Sequence, residues 1–223
     1  MKRMKTVVIS LGGSIIVPDQ IQVGFLKKFK GFILRFLKRD YKFIIVTGGG
    51  STARNYIKAA AKVSKITNED KDWLGIHATR INAHLLRTIF KKEAYPVVLD
   101  SPQKPIDGRK YRLFIASGWI PGWSTDYDAV LLAHRFKAQK LINASNITHV
   151  YDRNKKPIKE IKWKDYRKLI QKEWKPGLNV PFDPVAARVA QKYKMKVIIA
   201  KGTDLKNLEN ILTDKKFQGT IIA

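Results

Sequence analysis

No cysteine occurs in the 223 residues of this chain, so neither a disulfide nor a cysteine–metal framework can organise it, and a reducing compartment suits it. Acidic residues are scarce: 18 Asp and Glu stand against 44 Lys and Arg, leaving a net charge of +26. Long apolar runs are missing too. The start, MKRMKTVVISLGGS, turns from basic to apolar, but glycines interrupt it too early for a signal core. No stretch approaches the length of a membrane-spanning helix, and a soluble cytoplasmic protein is expected. Repeats, low-complexity segments and a linker are absent. The P-loop pattern G-x-x-x-x-G-K-[ST] and the hydrolase elbow G-x-S-x-G are absent as well. His77, His84, His134 and His149 have no metal-ligand spacing with carboxylates, and the aromatic residues form no stacking platform for single-stranded nucleic acid.

What is present is a globular composition, 44% hydrophobic, long enough to bury a sizeable core. The positive charge suits an anionic partner: a nucleotide, nucleic acid or an acidic membrane. Yet the lysines are spread along the chain. KKFKGFILRFLKR interleaves them with a helical apolar stripe, which marks a solvated face. Strands are expected at Lys5–Ile9, Lys42–Thr47, PVVL, RLFIAS, KLINAS, KVIIAKG and GTIIA. Helices are expected over Phe25–Leu37, from Thr52, over Glu69–Lys92, over STDYDAVLLAHRF, from Asp183-Pro184 and over Asp204–Leu212, with VYDRNKKPIKEI rich in turns. Short, continuously apolar strands alternating with helices imply an α/β fold: a mainly parallel sheet covered on both faces.

In such sheets ligands bind beyond the carboxyl ends of the strands. Three expected strand ends carry glycine-rich turns: Gly12-Gly13-Ser14, Gly48-Gly49-Gly50, and SGWIPGWSTD from Ser117 to Asp126. Glycine lets backbone N–H groups approach phosphate, and a following helix adds a favourable dipole. Tight packing would explain one such loop equally well; three on a basic chain favour phosphate. A dinucleotide reading fails on context. Gly48 to Ala53 matches G-x-G-x-x-A with Asp70 downstream, but Asp70 falls at the start of a helix instead of the end of a strand.

Taken in order, VVISLGGSII, IIVTGGGSTARNYI, KDWLGIHATRINAHLL, AYPVVL, GWIPGWSTDYDAVLLA, NASNITHVYD, NVPFDPVAARVA and GTII resemble the amino acid kinase family. Within it they are similar to the uridylate (UMP) kinases of archaeal type and their bacterial relatives, over nearly the whole chain. The resemblance implies a single α/β/α sandwich domain, with a UMP-binding lobe over about 1–135 and an ATP-binding lobe over about 136–223. It implies transfer of the ATP γ-phosphate to UMP, with Mg²⁺, by a homo-oligomer such as a hexamer in pyrimidine nucleotide biosynthesis. Another small-molecule kinase of the same fold, or a non-catalytic nucleotide-sensing or nucleic-acid-binding member, is the alternative, and nucleic acid is the less favoured partner.

By the same resemblance, Ser10, Gly12, Gly13, Ser14, Gly50, Arg54, Ser145, Asn146, Tyr151 and Asp152 would face ATP. Gly49, Asp72 and the run Trp119, Ile120, Pro121, Gly122, Trp123, Ser124, Thr125 would hold UMP. Gly12, Arg54, Asp126 and Asp183 would serve the transfer itself. No protein ligand to the metal is named. Asp126 and Asp183 also read as helix caps, Tyr151 as a packing residue, and Trp119 and Trp123 as pocket walls. The chain departs from the wider family at Ser10 and Ser51, where lysines are common, and at Thr148 and His149 in the ATP-side motif. Arg54, backbone amides, Mg²⁺ and Lys201 remain to balance phosphate charge.

Overall fold

The computed structural model describes residues 4–108, 110–170 and 180–223; Asn179, which opens the NVPFDP stretch, lies outside them. In chain order the elements are β1 (Lys5–Leu11), α1 (Gly13–Ile16), α2 (Val23–Leu37), β2 (Tyr41–Thr47), α3 (Gly50–Val63), α4 (Asn68–Ile89), β3 (Leu113–Ala116), α5 (Thr125–Arg135) and β4 (Lys140–Ser145). There follow β5 (Val150–Tyr151), β6 (Pro157–Ile158), β7 (Glu160–Ile161), α6 (Trp163–Leu169), α7 (Pro184–Lys192), β8 (Val197–Lys201), α8 (Leu205–Leu212) and β9 (Thr220–Ile222).

The main sheet runs β3-β2-β1-β4-β8-β9-β7. Its neighbours are parallel except the antiparallel pair β8–β9. Alternate side chains of the central strand β1 enter opposite cores, as the two-residue strand period requires. Val7, Ile9 and Leu11 pack with Phe29, Ile33 and Phe36 of α2, while Val8 packs with Leu132 of α5 and Ala187 of α7. This is the expected three-layer α/β/α sandwich. The apolar stripe of α2 is buried while Lys27, Lys28 and Lys38 on its other side stay in solvent. No helix among the described residues is long and apolar enough to cross a membrane.

Some local expectations change. PVVL is not a strand. Tyr95 and Leu99 each donate to a β3 carbonyl, at 2.8 and 2.9 Å, giving two isolated bridges. The donors are four residues apart where their acceptors on β3 are two apart, so the segment bulges between the bridges and no continuous ladder forms. Gly12 leads straight into the single turn α1, which the strand and helix expectations did not include. The turn-rich 150–161 region holds a two-stranded hairpin of β5 and β6 and an edge strand β7, and α6 is an addition to the expected helices. Its anchors are Trp163 and Tyr166, both buried. Asp70, the residue that completed the dinucleotide pattern, closes the capping box of α4. Its carboxylate accepts from Thr67 N at 2.8 Å, and Thr67 Oγ1 accepts from Asp70 N at 3.1 Å.

Candidate active site

The strand ends of β1 and β2 bring the first two glycine loops into backbone contact. A Cβ on Gly13 would stand 1.9 Å from Gly50 N and 2.7 Å from Gly48 C, and one on Gly48 would stand 2.4 Å from Gly13 N. Gly50 holds φ +65°, where a Cβ would also meet the Gly13 carbonyl at 2.5 Å. Packing therefore explains Gly13, Gly48 and Gly50. Gly12 differs: its φ is −53°, and the nearest atom to an added Cβ is Ala144 O at 3.2 Å. Its N–H already donates to that same carbonyl at 2.9 Å, so an added Cβ would press on the end of β4 and not on the second loop.

Beyond these loops lies an open cleft of about 620 Å³. Of the residues expected around the nucleotides, it collects Ser14, Gly49, Gly50, Arg54, Asp72, Trp123, Ser124, Thr125 and Asn146 on its lining. Arg54 projects from α3, donating to Ser14 Oγ at 3.3 Å and to the Pro18 carbonyl at 3.0 Å. Asp72 faces it from α4 and accepts from Gly122 N at 2.8 Å, so it ties down the Trp119–Thr125 segment. Burial raises the Asp72 carboxyl above its ordinary value, and the Gly122 N–H draws it back. Trp119, Ile120, Pro121 and Gly122 are not on the lining, and Gly122 is exposed at φ +85°.

Beneath the cleft is an acidic cluster. Asp126 is not the cap of α5; Ser124 is, accepting from Tyr127 N at 3.2 Å. Asp126 instead accepts from Ser10 Oγ at 2.9 Å, Asn143 Nδ2 at 3.0 Å and Asp183 N at 3.3 Å. It thereby joins β1, β4 and the start of α7. Asp183 does cap α7, accepting from Ala186 N at 2.6 Å ahead of Pro184, and its Oδ2 is buried without a partner. Burial pushes Asp126 up to about 7, with the charge of Asp183 adding to it. By surface area Asp126 is only partly buried, so solvent moderates that rise. Burial also raises Asp183, against the N–H groups of Ala186 and Val185.

Asp128, fully buried one turn into α5, is pushed up to about 8 by burial, while the Trp119 N–H pulls the other way. In the unfolded chain these carboxyls ionise near 3.8. The folded protein thus keeps protons that the unfolded chain releases. Their stabilisation is complete below that value and disappears as pH rises through about 7 to 8. Asp128→Asn is therefore expected to gain on wild type as pH rises from 5 to 8.5, by about 1–3 kcal/mol. Parallel urea-melt stabilities across that range would show that Asp128 does not ionise as described.

A profile of the amino acid kinase family matches residues 5–201. The chain belongs to the amino acid kinase family. It is 36% identical to a uridylate kinase of Thermoplasma volcanium, over 95% of this chain and 94% of that one. It is 33% identical to a uridylate kinase of Thermococcus sibiricus, over 97% and 98%. The crystal structure of uridylate kinase from Archaeoglobus fulgidus superposes with a TM-score of 0.82 at 30% identity, covering 99% of this chain and all 100% of that one.

In this amino acid kinase, of the residues assigned to ATP from 145 onward, Asn146 lines the cleft while Ser145, Tyr151 and Asp152 do not. Asp152 Oδ1 accepts from Asn154 N and Lys156 N, both at 2.8 Å, and shapes the β5–β6 turn. Tyr151 does not pack into the core; it is 44% exposed, with its hydroxyl 3.0 Å from Thr148 Oγ1. His149 Nε2 accepts from Gly219 N at 3.1 Å, so this departure from the family pattern has a structural use. Ser145 lies opposite Lys201 in the β4–β8 register, which puts that lysine at the same end of the sheet as the cleft.

Several site residues were not singled out from sequence. Lys71, Gly75, Ile76, Thr79 and Gly118 also line the cleft. Asn82 Nδ2 donates to the carbonyls of Gly48 and Gly49 at 2.8 and 3.2 Å and fixes the second loop to α4. The signal was available: Asp72, Gly75, Ile76, Thr79 and Asn82 recur at helical spacing along one side of KDWLGIHATRINAHLL.

Proposed function

We infer that this chain is a uridylate kinase, transferring the γ-phosphoryl group of ATP to UMP to give ADP and UDP. The observation that carries the reading is a single one. Residues of all three glycine-rich motifs meet at one cleft, in a chain that matches uridylate kinases across nearly their full length. Phosphoryl transfer asks a protein mainly for alignment and charge stabilisation. In this reading the residues up to about 135 hold UMP and those from about 136 hold ATP. The sheet order supports that division, since β3, β2 and β1 lie to one side and β4, β8, β9 and β7 to the other.

Mg²⁺ would arrive with ATP. Among the described residues no group of three or more acidic or histidine side chains could hold a metal alone. Asp183 offers one unpartnered carboxylate oxygen, a hard donor that suits this cation, while phosphate oxygens and water would complete its shell. The ion would supply neutralisation of phosphate charge. We place the protein in the cytoplasm, in pyrimidine nucleotide synthesis. Self-association is supported by exposed Tyr56 and Val63 on α3 and Trp73 and Ile81 on α4.

A coupled assay with UMP, CMP, AMP and isopentenyl phosphate at equal concentrations tests the reading. UMP is expected to give the highest kcat/KM; faster turnover of another acceptor overturns the substrate and leaves the fold intact. RNA binding with steep salt dependence and no turnover would overturn the enzyme itself. Asp72→Ala is expected to raise the KM for UMP, and Arg54→Ala the KM for ATP or the transfer barrier, each by about 1.5–3 kcal/mol. If each variant moves the other substrate's constant, the two sides of the cleft are exchanged.

A further inference from the structure

The wall Gly118–Thr125 is held by its backbone, at successive points, by side chains of two helices. Gly118 N donates to Thr79 Oγ1 at 2.8 Å and Gly122 N to Asp72 Oδ2 at 2.8 Å. Between them the Trp119 residue is gripped at both its backbone groups. Its N–H donates to Asp128 Oδ2 of α5 at 3.2 Å, and its carbonyl accepts from Arg80 Nη2 of α4 at 3.3 Å. Both gripping side chains are electrostatically expensive to keep there. Asp128 has 0% exposure and its Oδ1 has no partner; Arg80 Nε is buried without a partner as well. An apolar side chain at position 128 would carry no such desolvation penalty. What an apolar residue could not do is accept the Trp119 N–H. The wall it steadies ends in Trp123, which lines the cleft and stacks on Tyr127 of α5 with centroids 4.3 Å apart.

We propose that Asp128 and Arg80 are positioning residues for the acceptor nucleotide: by clamping the two backbone groups of Trp119 they set the Gly118–Thr125 wall against which the acceptor packs. The proposal rests on the uridylate kinase reading for the identity of that acceptor, and on the geometry alone for the clamp. Because burial keeps the Asp128 carboxyl protonated near neutral pH, asparagine reproduces both its shape and its acceptor oxygen.

The test compares wild type with Asp128→Ala, Asp128→Asn and Arg80→Met. It measures KM for UMP, KM for ATP, kcat, and amide exchange by mass spectrometry in peptides covering 118–123. Asp128→Ala is expected to raise the KM for UMP by about tenfold or more, to leave the KM for ATP within about threefold, and to speed exchange at 118–123. Asp128→Asn restores all three readouts, and Arg80→Met repeats the UMP-selective defect. The proposal fails if folded Asp128→Ala leaves the KM for UMP unchanged, if both KM values rise together, or if asparagine rescues nothing. Should Asp128→Ala not fold, Arg80→Met decides: a UMP-selective rise supports the clamp and no change overturns it. If wild type does not phosphorylate UMP, the function reading fails separately. Exchange still decides the clamp, since unchanged exchange in 118–123 of the folded variants refutes it.

Discussion

Gly13→Ala is expected to yield little or no stably folded protein. The added Cβ would lie 1.9 Å from Gly50 N and 2.6 Å from Gly50 Cα, and both are backbone, with no flexible side chain to move aside. Overpacking that side chains can absorb costs about 1–3 kcal/mol. Here two loops at the ends of neighbouring strands must part, so the cost reaches or exceeds the top of that range. For a chain of this size that is a fall in Tm of roughly 6–12 °C or more. Gly12→Ala is the matched control. Its Cβ meets Ala144 O at 3.2 Å at an unstrained φ of −53°, so the protein folds with a Tm lowered by only a few degrees. Its turnover is nevertheless expected to fall by about tenfold or more, because a Cβ pressing on the end of β4 shifts the first loop where the strand ends meet. Melting curves and single-turnover rates for the pair check this. If Gly12→Ala proves the less stable of the two, the ranking of the two contacts is wrong.

Asp126→Ala is expected to abolish most turnover while the protein still folds. Removing the carboxylate leaves the Ser10 hydroxyl, the Asn143 amide and the Asp183 N–H without their common acceptor. These groups belong to β1, to β4 and to the cap of α7, so the phosphate-side strand ends lose the tie that sets their spacing. Misplacement of about 1 Å at a phosphoryl-transfer site costs about 10²-fold in rate. A kcat lowered by about 10²–10³-fold, with KM values changed much less, is the expected pattern. Stability moves in two opposed ways, since a buried carboxyl raised to about 7 is removed together with its hydrogen bonds. Near-wild-type kcat in a folded Asp126→Ala protein would remove Asp126 from the transfer machinery.

Much of the architecture was legible from one-dimensional pattern. Apolar runs such as Val7–Ile9 and Phe43–Val46 mark strands buried on both faces, because a parallel sheet covered by helices leaves no polar side. Phe29, Ile33 and Phe36 mark the buried stripe of α2, because helical periodicity places them on one face. Asp183-Pro184 marks the start of α7, because cap and first-turn proline are local chemistry. PVVL shows the limit of the same logic: its apolar character is real, but Tyr95 and Leu99 span four residues against two on β3, so the register breaks and no ladder forms.

The site divided along the same line. Residue types that chemistry demands near phosphate, glycines and Arg54 among them, stand out in the sequence because their spacing from a strand end is short. Which glycine serves which purpose does not. Gly12 and Gly13 are neighbours in the chain, yet a Cβ on one would face the end of β4 at 3.2 Å and a Cβ on the other would abut a loop some 35 residues away at 1.9 Å, and only the pairing of β1 with β4 and β2 separates them. Asp126 reads locally as a helix cap, and its partners Ser10 and Asn143 lie 116 and 17 residues away. Asp128 and Arg80 carry no local signature, since their common target is the backbone of Trp119, and a backbone contact leaves no residue type to recognise. Sequence by itself thus determined the layers, the strand ends and the chemistry gathered there, all set by interactions a few residues in range. The tertiary structure alone decided which groups pack, which face the cleft and which hold its wall, because those depend on contacts between segments that only folding brings together.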